Sequence, residues 1–248
     1  MNPAELPNIA ALEDSFWWYS GMRTILFELL DPVFETRRPQ RTLEAGCGTG
    51  YMARQFEKRY HTRVYTTDLA RQALEYVQNR GFATMTQSDM TSLPYASATF
   101  DAAISLDVLV HLTPGSEKEA IAELSRVLKP GAFLVLRVAA LDILRSRHSQ
   151  FIHEFQRFTR KRLNGLLKAN GFEIIRCTYA NTLLMPLAFA KFRVWEPLMN
   201  RPPASGVAPA SRRMNVWLER ILKAEAKWLA RGYNLPLGQS LIAIARKA

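Results

Sequence analysis

The sequence of 248 residues contains only two cysteines, Cys47 and Cys177, too few for a disulfide-stapled scaffold. Long apolar runs are also absent, because the longest, residues 183–190, contains Pro186 and is far shorter than the roughly 20 residues of a membrane-spanning helix. The N-terminal segment has no basic stretch ahead of an apolar one, so we expect no signal peptide. Together these absences predict a cytoplasmic protein.

Acidic residues are scarce in the C-terminal part of the chain. Residues 141–248 carry 19 Lys and Arg against 6 Asp and Glu, whereas residues 1–140 carry 14 against 16. The net charge of +11 therefore arises entirely after residue 140. Such an excess indicates an acidic partner, which can be a nucleic acid, an anionic small molecule or a membrane surface.

Short apolar runs alternate with helical patterns from residue 41 onward, which predicts successive βα units. Strands are predicted at residues 42–45, 63–67, 83–87, 100–106, 133–138, 172–178 and 240–245. Helices are predicted at 51–60, 71–80, 117–128, 160–170 and 214–230, with a helix or a pair of helices at 181–200. Ser116 and Glu119 have the spacing of a capping box at the start of the third of these helices. Residues 201–211 are predicted as a loop. We therefore expect one α/β domain with a long insertion before its last strand.

Three glycines at alternating positions, Gly46, Gly48 and Gly50, follow the first strand and precede the first helix of this core. Glycine lets the backbone turn tightly there and approach a ligand closely. Asp68 ends the next strand, where an acidic side chain can accept both hydroxyls of a ribose. The dinucleotide fingerprint does not fit, because Tyr51 stands where its third glycine belongs. A plain tight turn is the alternative interpretation.

The run Glu44-Ala45-Gly46-Cys47-Gly48-Thr49-Gly50 resembles motif I of the class I S-adenosylmethionine (SAM)-dependent methyltransferases. Four further segments match this family in order: Asp68, residues 88–90, residues 100–101 with 106–112, and residues 126–131. The likeness covers residues 41–138 and is greatest to the small-molecule and quinone-biosynthesis subgroup. It implies a Rossmann-like, doubly wound sheet of about seven strands, mostly parallel with an antiparallel last strand. SAM is then the cofactor and S-adenosylhomocysteine the product.

A separate second domain is the alternative, but residues 240–245 would need partner strands in the sheet, so we predict a single methyltransferase domain over residues 1–248. Its predicted parts are an N-terminal helical cap (1–40), the SAM-binding core (41–140), a lid with the sixth strand (141–180), a helical insertion (181–238) and the last strand (239–248). We expect it to act on a small-molecule acceptor as a monomer or homodimer, with peripheral membrane contact through its basic C-terminal part.

The resemblance also implies roles for single residues. Glu44 is expected near the ammonium group of SAM, Asp68 at the ribose diol and Asp89 at the adenine amino group, with a surface turn as the alternative for Asp89. Cys47 is interpreted as a small packing residue, since nothing indicates the low pKa of a reactive thiol. The expected cofactor contacts are Glu44, Gly46, Cys47, Gly48, Gly50, Asp68, Leu69, Asp89, Met90, Leu106, Tyr19 and Arg23.

His111 is the catalytic candidate, because it follows the fourth strand at the edge where parallel sheets bind ligands. An ordinary histidine pKa of about 6.5 suits a general base for an acceptor that carries a proton. The alternative is that His111 caps or packs the following loop. Asp107 is a weaker candidate and is interpreted as a structural hydrogen-bonding residue.

Four consecutive aromatic residues, 16–19, precede the core, and Trp18 is predicted to contact the acceptor. Tyr19 and Arg23 are four apart and therefore share one face of a helix. We hypothesise that Arg23 pairs with a carboxylate of SAM or of the acceptor. The alternative is core packing for Trp17 and Trp18 with a solvated Arg23.

Residues 145–162 are predicted to form a lid and contain five arginines together with His148 and His153. We expect both histidines to contact the acceptor, and without a third ligand their spacing does not predict a metal site. The arginines either bind an anionic acceptor or form a solvated face. Apolar side chains of the insertion can wall a lipophilic pocket, form a dimer contact, rest on a membrane or simply pack onto the domain.

Three functions follow from these patterns. The first is methyl transfer to O, N or C of a small acidic or lipophilic acceptor. RNA or protein methylation is the second, although no nucleic acid is expected, because the segment after the fourth strand lacks the Asn/Asp-Pro-Pro-Tyr/Phe signature. The third is a SAM-binding protein without transferase activity, since a fold does not determine a function.

Overall fold

The computed structural model describes residues 1–200, 202–208 and 210–248. Within these residues seven strands form one sheet: β1 (Arg41–Ala45), β2 (Arg63–Asp68), β3 (Met85–Gln87), β4 (Phe100–Leu106), β5 (Leu128–Ala139), β6 (Phe172–Ala180) and β7 (Ser240–Lys247). Their order in the sheet is β3-β2-β1-β4-β5-β7-β6. Strand β7 runs antiparallel between β5 and β6, and the other pairs are parallel. The predicted Rossmann-like fold is therefore confirmed.

Helices cover both faces of the sheet. They are α1 (Leu6–Leu12), α2 (Trp17–Thr36), α3 (Tyr51–Tyr60), α4 (Arg71–Asn79), α5 (Ser116–Val127), α6 (Arg147–Phe151), α7 (Arg160–Ala169), α8 (Met185–Ala190), α9 (Glu196–Met199) and α10 (Arg212–Ala230). One buried cluster joins α5 and α7 to the sheet, and a second joins α2, α3, α4 and α10 to its other face. None of the helices in the described part of the chain combines the length and apolar character needed to cross a membrane.

The strand order reverses between β1 and β4, which are neighbours although β2 and β3 lie between them in the chain. Successive crossovers on either side of this point leave the sheet in opposite directions and open a crevice at the carboxyl ends of the two strands. The glycine loop follows β1 and His111 follows β4, so the topology brings both to this crevice.

Several predicted elements differ from the observed ones at their ends. Helix α3 has the predicted bounds, but β5 begins directly after α5, so that Pro130 and Gly131 lie inside the strand instead of in a turn. The predicted capping box on Ser116 does not form, because Gly115 occupies the cap position and its amide donates to Glu117 Oε2 at 2.6 Å. The spacing of Ser116 and Glu119 alone could not distinguish a capping box from a helix that begins at a glycine.

The N-terminal helices and the insertion pack on each other. Helix α2 approaches α10 closely at Gly21, where a Cβ atom would lie 2.4 Å from Leu222 Cδ1. Asn215 accepts a hydrogen bond from the Trp17 amide at 2.8 Å and donates to the Ser15 carbonyl at 2.9 Å. These contacts join two segments about 200 residues apart, and both segments border the site.

The insertion begins with a turn held by a buried carboxylate. Glu225 accepts hydrogen bonds from the amides of Asn181, Thr182 and Leu183 at 2.5–3.0 Å. The helix or pair of helices predicted from residue 181 therefore starts only at Met185. A π-helical turn, Lys191–Trp195, separates α8 from α9. The loop predicted at 201–211 contains residues 201 and 209, which lie outside the described residues.

Candidate active site

One large cavity, about 1230 Å³ in volume, lies at the carboxyl ends of β1, β2, β4 and β5. Its polar floor comes from the loops after these strands. Its walls come from the N-terminal residues 1–23, from the 146–157 region after β5 and from the insertion. The volume exceeds that of an ordinary small-ligand pocket, so the cavity can hold two small molecules side by side.

The glycine loop presents bare backbone to this cavity. Gly46, Gly48 and Gly50 all have positive φ, at 78°, 52° and 73°, which other residues rarely adopt. A Cβ atom at Gly46 would lie 2.2 Å from Val108 Cγ2, whereas no described atom lies within 4 Å of a Cβ built at Gly48. Gly46 is therefore required for packing, and Gly48 keeps the cavity open.

Asp68 is held by the backbone in front of this loop. Its Oδ2 accepts from the Gly48 amide and its Oδ1 from the Ala70 amide, both at 2.9 Å. The next side chain, Leu69, is 66% exposed and lines the cavity. A carboxylate beside an exposed apolar side chain suits a ribose with a base stacked next to it.

Glu44 is a buried carboxyl group at the floor of the cavity. Its Oε2 has no hydrogen-bond partner among residues 1–200, 202–208 and 210–248. Burial raises the pKa of Glu44 to about 8, with nearby Asp68 adding to the rise. A cationic ligand group placed here would supply the missing partner. Burial also raises the pKa of the neighbouring Cys47 thiol well above its ordinary value, which suits packing and not nucleophilic chemistry.

The expected contacts Asp89, Met90 and Leu106 also line the cavity, whereas Gly50, at the start of α3, does not, because it faces Val77. Asp89 Oδ1 accepts from the amide and hydroxyl of Thr91, both at 2.8 Å, which fixes the loop after β3. Met90 is buried, and its sulfur accepts from Ser105 Oγ at 3.8 Å. Leu106 lies at the end of β4 on the cavity wall.

The N-terminal cap brings Trp18, Tyr19 and Arg23 to the cavity. Two guanidinium nitrogens of Arg23 donate to the carbonyls of Glu13 and Asp14 at 3.1 and 3.4 Å. In this arrangement Arg23 holds the turn between α1 and α2, and its pairing with a ligand carboxylate stays a prediction. Burial raises the pKa of the Tyr19 hydroxyl, so Tyr19 is a neutral hydrogen-bonding group.

His111 lines the cavity in a short 3₁₀ turn after β4. Its Nδ1 lies 3.1 Å from the His153 carbonyl oxygen. A carbonyl only accepts, so the ring proton is assigned to Nδ1 and Nε2 keeps its lone pair. Burial lowers the pKa of His111 to about 4. The imidazole is therefore neutral near pH 7 and able to receive a proton.

The two lid histidines have different positions. His148 lines the cavity, its Nδ1 accepts from the Gly206 amide at 2.8 Å, and burial lowers its pKa. His153 has an exposed side chain that does not line the cavity, and it contributes only its carbonyl to His111. The structure thus brings one predicted acceptor histidine to the site and leaves the other outside it. No trio of His, Cys, Asp or Glu side chains is arranged for a metal within the described ranges.

Two features of the site were missed by the sequence patterns. Arg137 is a buried arginine at the end of β5 that pairs with Asp107 at 2.6 Å and lies over the Trp18 ring at 4.9 Å. The sequence did contain a signal for this residue, because an arginine inside an otherwise apolar strand is unusual. Glu13 is buried against Thr49 and Arg80, and no local pattern links residues so far apart.

Comparison with known proteins identifies a common domain. The methyltransferase domain family matches residues 43–136. The O-methyltransferase rstn1 of Aspergillus nomiae is 27% identical over 154 residues, which are 57% of this chain and 68% of that protein. A tRNA (carboxymethyluridine(34)-5-O)-methyltransferase of Arabidopsis thaliana is 35% identical over 101 residues, 40% of this chain and 24% of its own length. The chain spans 54–68% of the length of the first four curated relatives.

Solved structures share the fold at low sequence identity. Phosphoethanolamine N-methyltransferase 2 of Haemonchus contortus, in complex with phosphomonomethylethanolamine and S-adenosylhomocysteine, superposes with a TM-score of 0.59 at 17% identity. The match covers 100% of this chain and 58% of that one. At this identity the likeness concerns the arrangement of helices and strands.

Proposed function

We propose that this chain, which belongs to the class I SAM-dependent methyltransferases, methylates a hydroxyl group of a small, mainly apolar acceptor and releases S-adenosylhomocysteine. One observation carries the proposal. A single cavity joins the glycine loop to a chamber with apolar walls, and the neutral His111 lines that same cavity.

The floor of the cavity fits SAM at three points. Gly48 leaves bare backbone with open space in front of it, and Asp68 holds a carboxylate fixed by two amides. The buried Oε2 of Glu44 lacks a described partner, which an ammonium group of the bound cofactor would provide. A cation there favours the ionised carboxylate and so lowers the pKa of Glu44 when the ligand binds.

The acceptor half of the cavity is lined mainly by apolar side chains from the N-terminal cap and the insertion. They are Leu6, Ile9, Phe16, Trp17, Trp18, Leu184, Phe192, Trp195, Met199, Val207 and Leu218. Such walls bind a hydrophobic ring or chain by removing its surface from water. Arg137 with its partner Asp107 provides a polar contact at the same wall.

When bound, SAM supplies a methyl group already activated by its sulfonium, so the protein mainly aligns the acceptor and excludes water. The acceptor oxygen bonds to the methyl carbon while the sulfur–carbon bond breaks. The hydroxyl proton becomes strongly acidic as the oxygen gains positive charge. His111 Nε2 takes that proton, for which a base with a pKa of about 4 is strong enough.

The test begins with calorimetric titration of SAM and S-adenosylhomocysteine into the full chain. Turnover is then measured as S-adenosylhomocysteine released with panels of phenols, apolar carboxylic acids and amines. We expect hydroxyl acceptors with one apolar ring or chain to give turnover that His111→Ala reduces. Turnover with amines alone would contradict the assignment of a hydroxyl acceptor.

Methylation of an RNA is the second candidate, because tRNA methyltransferases are among the relatives and the C-terminal part is strongly basic. RNA binding through phosphates would weaken steeply with rising salt. Methyl transfer to RNA, together with salt-sensitive RNA binding and no turnover of small acceptors, would favour this function over the first.

A further inference from the structure

Residues 183–199, here called the rim segment, are attached to the rest of the protein by a single row of side chains. Leu184 and Ala188 are buried, Phe192 and Glu196 are half-buried, and these four positions recur every four residues. Most of the other residues of the segment are exposed. An amphipathic helix normally buries its apolar side chains, so the composition of the exposed surface decides what this segment does.

The exposed surface of the rim segment is apolar. Its large exposed side chains are Leu183, Leu187, Phe189, Val194, Trp195, Leu198 and Met199. The most exposed are Leu198, at 76%, and Trp195, at 62%, and both lie near the C-terminal end of the segment. Seven large exposed apolar side chains within a segment of 17 residues are typical of an interaction site.

The stretch of chain that contains this apolar surface is mainly basic. Residues 183–238 contain nine Lys and Arg and only three acidic residues. All three acidic residues are engaged: Glu196 accepts from the Arg147 amide at 2.9 Å, Glu219 pairs with Lys223 at 2.6 Å, and Glu225 is buried against the turn before α8. Residues 183–238, which include the exposed apolar side chains, therefore carry a net charge of +6.

The rim segment also borders the cavity. Leu187, Lys191, Trp195 and Met199 are both exposed to solvent and part of the cavity lining. Met214 at the start of α10 has the same double position. The apolar, basic surface thus forms one edge of an opening into the acceptor half of the cavity.

We propose that the rim segment docks on an anionic lipid bilayer, with its apolar side chains in the interface and Lys191 and Arg193 at the lipid headgroups. Aromatic and basic side chains around an apolar ridge are the features that bind a membrane surface. Taken with the proposed function, on which this last step rests, the docked opening lets a lipophilic acceptor pass from the bilayer into the cavity.

The charge favours a bilayer over other occupants. A second copy of this chain would bring the same positive charge against itself, which opposes association. A nucleic acid would match the charge but would not require seven large apolar side chains. An anionic bilayer satisfies both the charge and the apolar surface.

The test is flotation of the full chain with vesicles, without SAM or acceptor. We expect binding to phosphatidylcholine vesicles containing about one quarter phosphatidylglycerol at about 0.15 M salt, and weak binding to pure phosphatidylcholine.

The double variant V194S/L198S, at exposed positions outside the cavity lining, should lower the partition coefficient at least about tenfold. Arg193→Gln should lower it about fivefold. Controls on other surfaces, Ile175→Ser and Lys58→Gln, should retain wild-type binding.

Each alternative result has a defined meaning. Equal binding by V194S/L198S and wild type, or no binding to anionic vesicles, overturns the proposal. If the wild-type chain does not bind vesicles and light scattering shows that it is a dimer, while V194S/L198S is a monomer, a second copy of the chain is the occupant. Salt-sensitive RNA binding without vesicle binding identifies a nucleic acid. Unchanged SAM titration of V194S/L198S confirms that the variant is folded. Vesicle binding without turnover of any acceptor contradicts the proposed function alone.

Discussion

The Gly48 amide donates to Asp68 Oδ2 at 2.9 Å, so that the loop after β1 and the carboxylate at the end of β2 hold each other in position. The second oxygen of Asp68 is fixed by Ala70. The glycine loop and its acidic partner are therefore preorganised, and a ligand spends little binding energy on ordering them.

Asp68→Ala should weaken SAM binding by about tenfold to a hundredfold, because hydrogen bonds to a charged group contribute about 1.5–3 kcal/mol. Calorimetric titration measures the change. Asp142→Ala removes an exposed carboxylate outside the cavity lining and should leave the affinity unchanged. Equal affinity of Asp68→Ala and wild type would show that the carboxylate does not contact the cofactor.

Glu44 makes stability depend on pH. Its folded pKa of about 8 exceeds the ordinary value of 4.5, so the folded state holds a proton that the unfolded state has lost between these values. Unfolding free energy due to this group therefore falls as pH rises from 4.5 to about 8 and then stays level. Glu44→Gln has no titrating carboxyl group at this position, so its unfolding free energy should not show this fall with pH.

Thermal denaturation from pH 5 to pH 9 checks this prediction, and the stability of Glu44→Gln relative to wild type should increase across that range. The same variant should bind SAM more weakly, since a neutral amide attracts an ammonium group less. A difference in melting temperature that does not vary with pH would mean that Glu44 is ionised throughout.

The elements that follow from local patterns were predicted well. Helix α3 has the bounds that its spacing predicts, because its buried Ala53, Phe56 and Tyr60 recur at helical intervals. The doubly wound, mostly parallel sheet with an antiparallel last strand was predicted from the family resemblance, since periodicity does not determine which strands pair. Glu13 shows the limit: its contacts with Thr49 and Arg80 join the cap to the core across 36 and 67 residues, and only the folded chain reveals them.

His111 and His153 have different expected roles: His111 acts through its side chain, whereas His153 contributes only its backbone carbonyl. His111→Ala should lower kcat about a hundredfold or more if it accepts the acceptor proton, with little change in SAM affinity. His153→Ala keeps the carbonyl that fixes the His111 ring and loses only an exposed imidazole, so it should retain activity. Because the pKa of His111 is lowered to about 4, its protonation should not reduce kcat between pH 6 and 8. An inactive His153→Ala with an active His111→Ala would reverse the assignment.

Gly46 and Gly48 should respond differently to the same added methyl group. Both have positive φ, which costs alanine about 1 kcal/mol. At Gly46 the new Cβ would also collide with Val108 at 2.2 Å, so Gly46→Ala should lose at least about 2–3 kcal/mol of unfolding free energy. At Gly48 the methyl group enters open space, so Gly48→Ala should stay folded and instead lose SAM affinity, because its backbone can no longer be approached. Urea denaturation and SAM titration of the two variants separate these effects. Similar loss of stability in both would mean that the loop's conformation alone decides the outcome, and full SAM affinity in Gly48→Ala would place the cofactor away from this part of the loop.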